Sequence, residues 1–305
     1  MSDPDQHAVY PIRTVAELTG INPVTLRAWE RRYGLIRPQR TEKGHRLYTE
    51  ADIQRIRHIV ALLDRGILIS RAREILANDP EPEDTTLTQE SDPWPAWQQR
   101  LDGALARFEP AALDGALGEL LSLYPVDRAA AHVLIPTLES RLAGNHEAAA
   151  EGQLLAVYLR GRLGHLINRT QPHGHGLRLL LATPADGGEA TATATIRQIV
   201  FGLTALALGH RPTLLGEDVP AGAIIAGARR ARADRVILHG GTRPGAQWQR
   251  TVAAVAAAWP EQLAIAGPAA DSPAFLPPEA TRLSGDPQQA CRYLDRMPDN
   301  SQGEA

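Results

Sequence analysis

The sequence predicts a multidomain chain of α and α/β class, with a winged helix-turn-helix, a four-helix bundle and a doubly wound parallel sheet in that order. Three observations predict it. Two short helical patterns around a glycine turn open the chain, four helical patterns follow from residue 96, and strands alternate with helices from residue 177. At 305 residues and 43% apolar composition, two or three domains can each bury a core.

The first two predicted helices form a helix-turn-helix. Residues 12–18 place Ile12, Val15, Ala16 and Leu18 at inner positions, and Thr19-Gly20-Ile21 supplies a tight turn. A second helix begins at residues 22 and 23, because asparagine is a good N-cap and proline suits the first helical position.

This second helix has an apolar stripe and a basic flank. Leu26, Trp29 and Tyr33 recur at i, i+3 and i+7, which is typical of a face turned toward a core. Gly34 is predicted to end the helix. The positions left outward or to the flanks are Thr25, Arg27, Ala28, Arg31 and Arg32.

A small two-stranded wing is predicted next. Pro38 blocks further helix, and the polar turn at residues 41–44 leads into His45 to Tyr48. Residues 22–46 hold seven Lys/Arg against two acids, a net charge of +5 in a chain of net charge −3. That concentration is typical of a phosphate-binding face. A merely solvated surface is the alternative, which the capped helix, tight turn and wing disfavour.

A third helix and a linker follow the wing. Thr49 to Asp52 has the form of a capping box, and aliphatic residues at helical spacing continue to Leu63. Residues 70–76 predict a last short helix. Residues 78–95, NDPEPEDTTLTQESDPWP, are rich in proline and acid and predict a flexible linker.

The middle of the chain predicts a bundle over residues 96–171. Its four helices have aliphatic residues at helical spacing and short loops between them, over 97–108, 110–123, 126–142 and 148–167. The HGHG segment that follows contains His173 and His175. Without further ligands nearby, a linker is favoured there over a metal site.

Residues 177–298 predict a flavodoxin-like doubly wound sheet, whose ligands sit at the carboxyl ends of the strands. Strands are expected at 177–183, 212–215, 235–239, 262–266 and 281–283. Helices are expected at 190–208, 221–231, 246–259 and 287–297.

Composition excludes several classes of protein. The single cysteine, Cys291, excludes an intramolecular disulfide, and no Cys/His spacing indicates a zinc site. No apolar run approaches a membrane span, so we expect a cytoplasmic protein without membrane contact. Residues 1–8 and 299–305 are predicted to be disordered.

Residues 9–76 resemble the DNA-binding domain of the MerR family of transcriptional regulators. The resemblance rests on Thr25-Leu26-Arg27, on the turn from Arg31 to Leu35 and on Gly44 to Tyr48, which occur in family order. Residues 21–48 are most similar to the branch that holds the activator of curli synthesis and the light-sensing, cobalamin-binding repressors of carotenoid genes. The resemblance implies a winged helix-turn-helix over residues 9–77.

The resemblance also implies a DNA interface. Thr25, Arg27 and Arg31 would lie at the major groove and its phosphates, and Arg46 would reach the backbone or the minor groove. The full set of expected DNA-binding residues is Thr14, Asn22, Pro23, Val24, Thr25, Arg27, Ala28, Arg31, Arg32, Tyr33, Lys43, His45 and Arg46.

The domain order also matches that of the cobalamin-binding members, but the cofactor motif is degenerate. The family carries Gly-(Asp/Glu)-x-His-x-x-Gly, with the histidine as cobalt ligand. Here the motif begins with Gly188 and Glu189, and Thr191 stands in the place of the histidine. The residues aligned with the upper corrin face are Leu142, Gly152 and Gln153. We therefore expect no cofactor, with cobalamin disfavoured, and no metal.

Three roles are open for the C-terminal half. It is a dimerising module, a sensor of another small molecule above Thr183, Thr191 and the Gly240-Gly241 turn, or a cobalamin binder that lacks the histidine, and the last of these is the least favoured. Enzymes such as cobalamin-dependent mutases and methyltransferases share this fold. The missing histidine and the lack of a nucleophile-base set disfavour an enzyme.

The sequence thus predicts a transcriptional regulator that binds double-stranded promoter DNA as a homodimer or higher homo-oligomer and affects RNA polymerase indirectly. Activation by untwisting a promoter spacer and repression by blocking polymerase are both compatible with it. A non-regulatory DNA-associated module is the competing class.

Overall fold

The computed structural model describes residues 10–64, 67, 69–78, 92–170, 176–185, 191–271 and 276–297. The chain forms two compact units, Met1–Thr137 and Leu138–Ala305. The expected disordered ends, the HGHG histidines, Gly188 and Glu189 lie outside the described residues.

The first unit begins with the helix-turn-helix. α1 (Ile12–Thr19) is followed by α2 (Pro23–Ala28), which continues as a π-helical turn, Trp29–Tyr33. Val15 and Ala16 are buried as predicted, but Leu18 is 41% exposed, so its predicted inner position is wrong. Leu18 falls off the stripe that its two buried neighbours define.

The two strands of the predicted wing are present, and a third strand joins them in an antiparallel sheet. β1 (Tyr10–Pro11) pairs with β3 (Arg46–Tyr48), which also pairs with β2 (Gln39–Arg40). The register sets Tyr10 opposite Tyr48, whose ring is fully buried. β1 therefore ties the start of the domain to its wing.

Helices complete the first unit. α3 (Glu50–Asp64) begins with the predicted capping box, since the amide of Asp52 donates to the hydroxyl of Thr49 at 3.0 Å. α4 (Ile69–Asn78), α5 (Trp94–Ala106), α6 (Pro110–Leu123) and α7 (Val126–Ala129) follow, and α7 continues as a π-helical turn, Ala130–Leu134. Both ends of the predicted linker, 78 and 94–95, are therefore helical, while residues 79–91 lie outside the described chain.

The boundary between the two units falls within α8 (Ile135–Leu142), which is followed by α9 (His146–Arg169). From there strands and helices alternate as predicted. The strands are β4 (Arg178–Ala182), β5 (Arg211–Leu214), β6 (Arg235–His239), β7 (Leu263–Ala266) and β8 (Thr281–Arg282). The helices are α10 (Thr191–Ala207), α11 (Ala221–Ala231), α12 (Ala246–Ala258) and α13 (Pro287–Leu294).

These strands form a parallel sheet that, within the described residues, has five strands in the order β5-β4-β6-β7-β8. Both faces are covered. Leu180, Val236 and Leu238 pack with residues of α11 and α12, whereas Leu181 and Ile237 pack with residues of α10 and α13. Because both faces are buried, the central strands β4, β6 and β7 are largely apolar, whereas the edge strands β5 and β8 are not.

Candidate nucleic-acid interface

The turn between α1 and α2 is fixed by its own hydrogen bonds. Gly20 has φ 74°, and its amide donates to the carbonyl of Ala16 at 2.7 Å. The hydroxyl of Thr19 donates to the carbonyl of Val15, also at 2.7 Å. Glycine suits this left-handed position, which sets the angle at which α2 leaves α1.

Both predicted ends of the recognition helix, the segment Pro23–Tyr33, are confirmed. The side-chain oxygen of Asn22 accepts from the amide of Val24 at 2.8 Å, and Pro23 takes the first helical position. At the other end Gly34 has φ 59° and donates its amide to the carbonyl of Trp29. The π-helical turn shifts the residues of Trp29–Tyr33 relative to a regular α-helix, a change that apolar periodicity does not indicate.

The wing is fixed by its turn and by α3. Gly44 has φ 80° and donates to the carbonyl of Thr41 at 2.8 Å, and the hydroxyl of Thr41 accepts from the amide of His45 at 3.1 Å. From α3, the guanidinium of Arg55 donates to the carbonyl of Leu35 at 2.6 Å. The segment that joins the recognition helix to the wing is thereby held to the body of the domain.

Glu30 joins the recognition helix to both wing strands. One carboxylate oxygen lies 2.9 Å from Nη2 of Arg40 on β2, and the other accepts from Nε of Arg46 on β3. Burial alone would raise the pKa of Glu30, but the hydrogen bonds and charges of Arg46 and Arg40 outweigh it, so its pKa lies below the usual 4.5. The carboxylate is therefore ionised at neutral pH.

The expected DNA-binding residues differ in exposure. Val24, Arg31, Arg32, Lys43 and His45 are exposed. Partial burial is shared by Thr14, Asn22, Pro23, Arg27, Tyr33 and Arg46. Thr25 and Ala28 are buried, at 2% and 7% exposure. Together the exposed members place cationic side chains along the recognition helix and at the wing.

Part of the recognition helix packs against α6. The indole Nε1 of Trp29, which is fully buried, donates to the carbonyl of Leu123 at 2.8 Å. Nη1 of Arg32 lies 3.3 Å from the hydroxyl of Ser122, to which it donates. Sequence periodicity correctly predicted burial of Trp29, but it did not predict this contact across more than 90 residues.

Glu30 and Arg40 were not among the predicted site residues. A signal was available, because Glu30 is the sole acid between the cap of the recognition helix and Gly34, and basic residues surround it. An acid in that position is best explained as a partner for cations on the same face.

A second concave site lies in the C-terminal unit. A pocket of about 290 Å³ is lined by residues that end α8, open α10 and follow β6 and β7: Glu139, Leu142, Ala143, Thr193, Ala194, Arg197, Gly240, Gly241, Thr242 and Pro268. Nη2 of Arg197 is 2.9 Å from a carboxylate oxygen of Glu139. Nearby His239 is 2% exposed, and burial together with the charge of Arg197 lowers its pKa to about 3.

The described residues that line this pocket do not fit a cobalamin whose cobalt is held by a histidine. No histidine is among the lining residues, and the polar groups present are a guanidinium, a carboxylate and two hydroxyls, which are poor partners for cobalt. Gly152 packs against Leu142, where an added Cβ would lie 3.0 Å from the leucine side chain. Over the described residues, no group of three or more His, Cys, Asp or Glu could hold a metal ion, and no helix is long and apolar enough to cross a bilayer.

Comparison with known proteins matches part of the first unit to a family of regulatory proteins. The MerR HTH family regulatory protein model matches residues 10–79. The HTH-type transcriptional regulator MlrA of Escherichia coli (strain K12) is 56% identical over 72 residues, which is 24% of this chain and 30% of that protein. The match thus spans less than a third of that regulator's length.

Two longer matches extend into the second unit. The HTH-type transcriptional repressor CarA of Myxococcus xanthus is 30% identical over 236 residues, 74% of this chain and 75% of that protein. The repressor CarH of the same organism is 29% identical over 221 residues, 70% of this chain and 72% of that protein. Each of these two matches is longer than the first unit, so the similarity extends into the second.

Proposed function

Because the chain belongs to the MerR family of helix-turn-helix regulatory proteins, we propose that it is a sequence-specific transcriptional regulator that reads promoter DNA through residues 9–77. One observation carries the proposal: a capped recognition helix is tied by Glu30 to a basic wing. In this arrangement the helix enters the major groove while the wing follows the phosphate backbone.

Arginine and lysine side chains supply most of the affinity. These side chains, Arg27, Arg31, Arg32 and Lys43, contact phosphates or base edges. Each phosphate contact releases counterions from the DNA, so binding weakens as the salt concentration rises. Arg46, held by Glu30, positions the wing in addition to adding charge. Affinity for the operator therefore falls steeply as salt is raised.

The regulator acts in the cytoplasm as a homodimer or higher homo-oligomer. Two recognition helices then meet half-sites about one helical turn apart, and RNA polymerase is affected indirectly through the promoter. A dimer contact in the C-terminal half would leave both DNA-binding domains available.

The remainder of the chain is proposed to be a four-helix bundle over 96–171 and a flavodoxin-like domain over 177–298. Helix bounds close to the predicted ones and the strand order β5-β4-β6-β7-β8 support this assignment. We propose a regulatory role for it, because the two longer matches are to transcriptional repressors.

Arg27→Ala tests the DNA interface. A duplex bound by the full chain is first selected from a random pool and located in promoter DNA by footprinting. We expect Arg27→Ala to lower affinity for that duplex about tenfold at fixed salt with an unchanged melting temperature. Arg13→Ala, which removes an exposed arginine from α1, should have little effect. Equal affinity of wild type and Arg27→Ala would contradict this placement of the helix.

A second candidate function is small-molecule sensing, which the pocket at Arg197 favours. Its volume is near the lower end of ordinary ligand sites, and its lining combines apolar walls with a few polar groups. A small acidic ligand would pair with Arg197 in competition with Glu139. Thermal shift measurements with a panel of small carboxylates and phosphates test this, with Arg197→Gln as the control. A shift that persists in Arg197→Gln would count against the site.

A further inference from the structure

A stripe of four residues on the recognition helix is buried or contacts the end of α6. It consists of Thr25 and Ala28 of α2, which packs against α6, and of Trp29 and Arg32 in the π-helical turn that follows. The last two residues of this stripe donate to Leu123 and Ser122, and the first two are buried. We call these four residues the docked stripe.

The docked stripe overlaps the surface expected to meet DNA. Thr25, Ala28 and Arg32 are among the residues that the family resemblance places at the DNA, and two of them have less than a tenth of their surface exposed. A side chain this buried does not reach a base edge or a phosphate. The helix therefore cannot lie fully in a major groove while it is packed on α6.

The end of α6, where this contact is made, is held in place by aromatic packing. Tyr124, which follows Leu123, packs on Trp94 with ring centroids 4.7 Å apart, and Trp94 stacks on His132 at 4.6 Å. Charge also favours docking: residues 92–137 contain six acids and three arginines, whereas residues 22–46 have a net charge of +5. The recognition helix, which lies in a cationic segment, thus packs against a helical segment with a net negative charge.

We propose that α6 and promoter DNA compete for the docked stripe, so that the structure is a self-inhibited form and the helix-turn-helix must leave α6 to bind DNA. This inference rests on the proposed DNA-binding function. Affinity measured for DNA is then reduced by the fraction of molecules in which the stripe is docked.

Substitutions at Ser122 test the competition without altering the helix-turn-helix or the wing. Ser122→Arg places a like charge beside Arg32 and should raise affinity for the selected duplex about two- to fivefold over its control. Ser122→Glu gives Arg32 a charged partner and should lower affinity by a similar factor. The controls are Ala111→Arg and Ala111→Glu, the same additions at an exposed position of α6. Equal effects at 122 and 111 would overturn the proposal.

Hydrogen-deuterium exchange of the full wild-type chain gives an independent readout. Addition of the selected duplex should slow exchange in the recognition helix and speed it at residues 117–124, because α6 loses its cover. If the duplex binds and exchange at 117–124 is unchanged or slower, self-inhibition is wrong while DNA binding stands. If no duplex is bound by wild type or by Ser122→Arg, the proposed function fails as well.

Discussion

Two titratable side chains, Glu30 and His239, are buried or half-buried and have different roles. Glu30 is ionised and shared between two wing arginines, whereas His239 is buried and neutral at the end of β6. The first is a structural link within the proposed DNA interface. His239 lies near Arg197, whose positive charge disfavours protonation of the imidazole.

The substitution Glu30→Gln separates the role of Glu30 in positioning the wing from its effect on the net charge of the DNA-binding surface. Removal of a carboxylate makes the surface more cationic, which by itself strengthens DNA binding. We expect the opposite, about a five- to tenfold loss of affinity for the selected duplex, because the charge-assisted hydrogen bonds to Arg40 and Arg46 weaken. Gel shifts at fixed salt measure it.

The control for Glu30 is Glu42→Gln, an identical charge change in the exposed wing turn. Its affinity should equal that of wild type or rise slightly. If Glu30→Gln also binds as tightly as wild type, the carboxylate does not position the wing.

His239→Leu should remove part of the acid sensitivity of the fold. The pKa of His239 is lowered to about 3 in the folded chain, so between about pH 6.5 and pH 3 the unfolded chain binds a proton that the folded chain does not. Stability is therefore fully present above about pH 6.5 and falls as pH decreases. From about pH 7.5 to pH 5 this residue should cost roughly 2 kcal/mol of unfolding free energy.

Urea unfolding at the two pH values measures the effect. His239→Leu should lose about 2 kcal/mol less than wild type over that interval, whereas His146→Gln, at an exposed position, should behave as wild type. An identical pH dependence in wild type and His239→Leu would show that this histidine is not held neutral.

At the scale of elements, local signals were sufficient for most of the fold. α6, α11 and β6 have the predicted bounds, because proline, glycine and apolar runs mark their ends. β1 was missed because a two-residue strand has no periodicity and depends on pairing with β3. The two π-helical turns and the α6 contact were missed for the same reason, since tertiary packing decides them.

Asn22→Ala tests how far the recognition helix depends on its cap. Loss of the cap costs roughly 1 kcal/mol and should lower affinity for the selected duplex about fivefold. Asn22→Ser keeps an acceptor for the Val24 amide and should restore most of the binding. Persistent weak binding of Asn22→Ser would instead assign Asn22 a direct contact with DNA.

The matched control is Asn145→Ala, which removes the cap of α9 in the second unit. Its side chain accepts from the amide of Ala148 at 2.9 Å, much as Asn22 does for α2. Thermal stability should fall while affinity for the duplex stays unchanged. A comparable loss of DNA affinity in both variants would point to general destabilisation.

Across the whole molecule, charge is divided by role. Residues 9–76 have a net charge of +6, and the remainder of the chain has −9. This division was visible in the sequence, and so were the DNA-binding class and the parallel sheet. The site could be predicted only in part, because the position of each arginine depends on partners such as Glu30 and Ser122 that are remote in the chain or unmarked by any motif.

Incubation of the full chain with adenosylcobalamin in the dark tests whether the second unit binds cobalamin. Among the described residues that line the pocket there is no imidazole, and its volume of about 290 Å³ is small for a corrin macrocycle. We therefore expect a colourless protein after gel filtration and equal affinity for the selected duplex in the dark and after illumination. A corrin spectrum that persists through the column, with light-dependent binding, would instead require the pocket to open and would make the chain a photoreceptor.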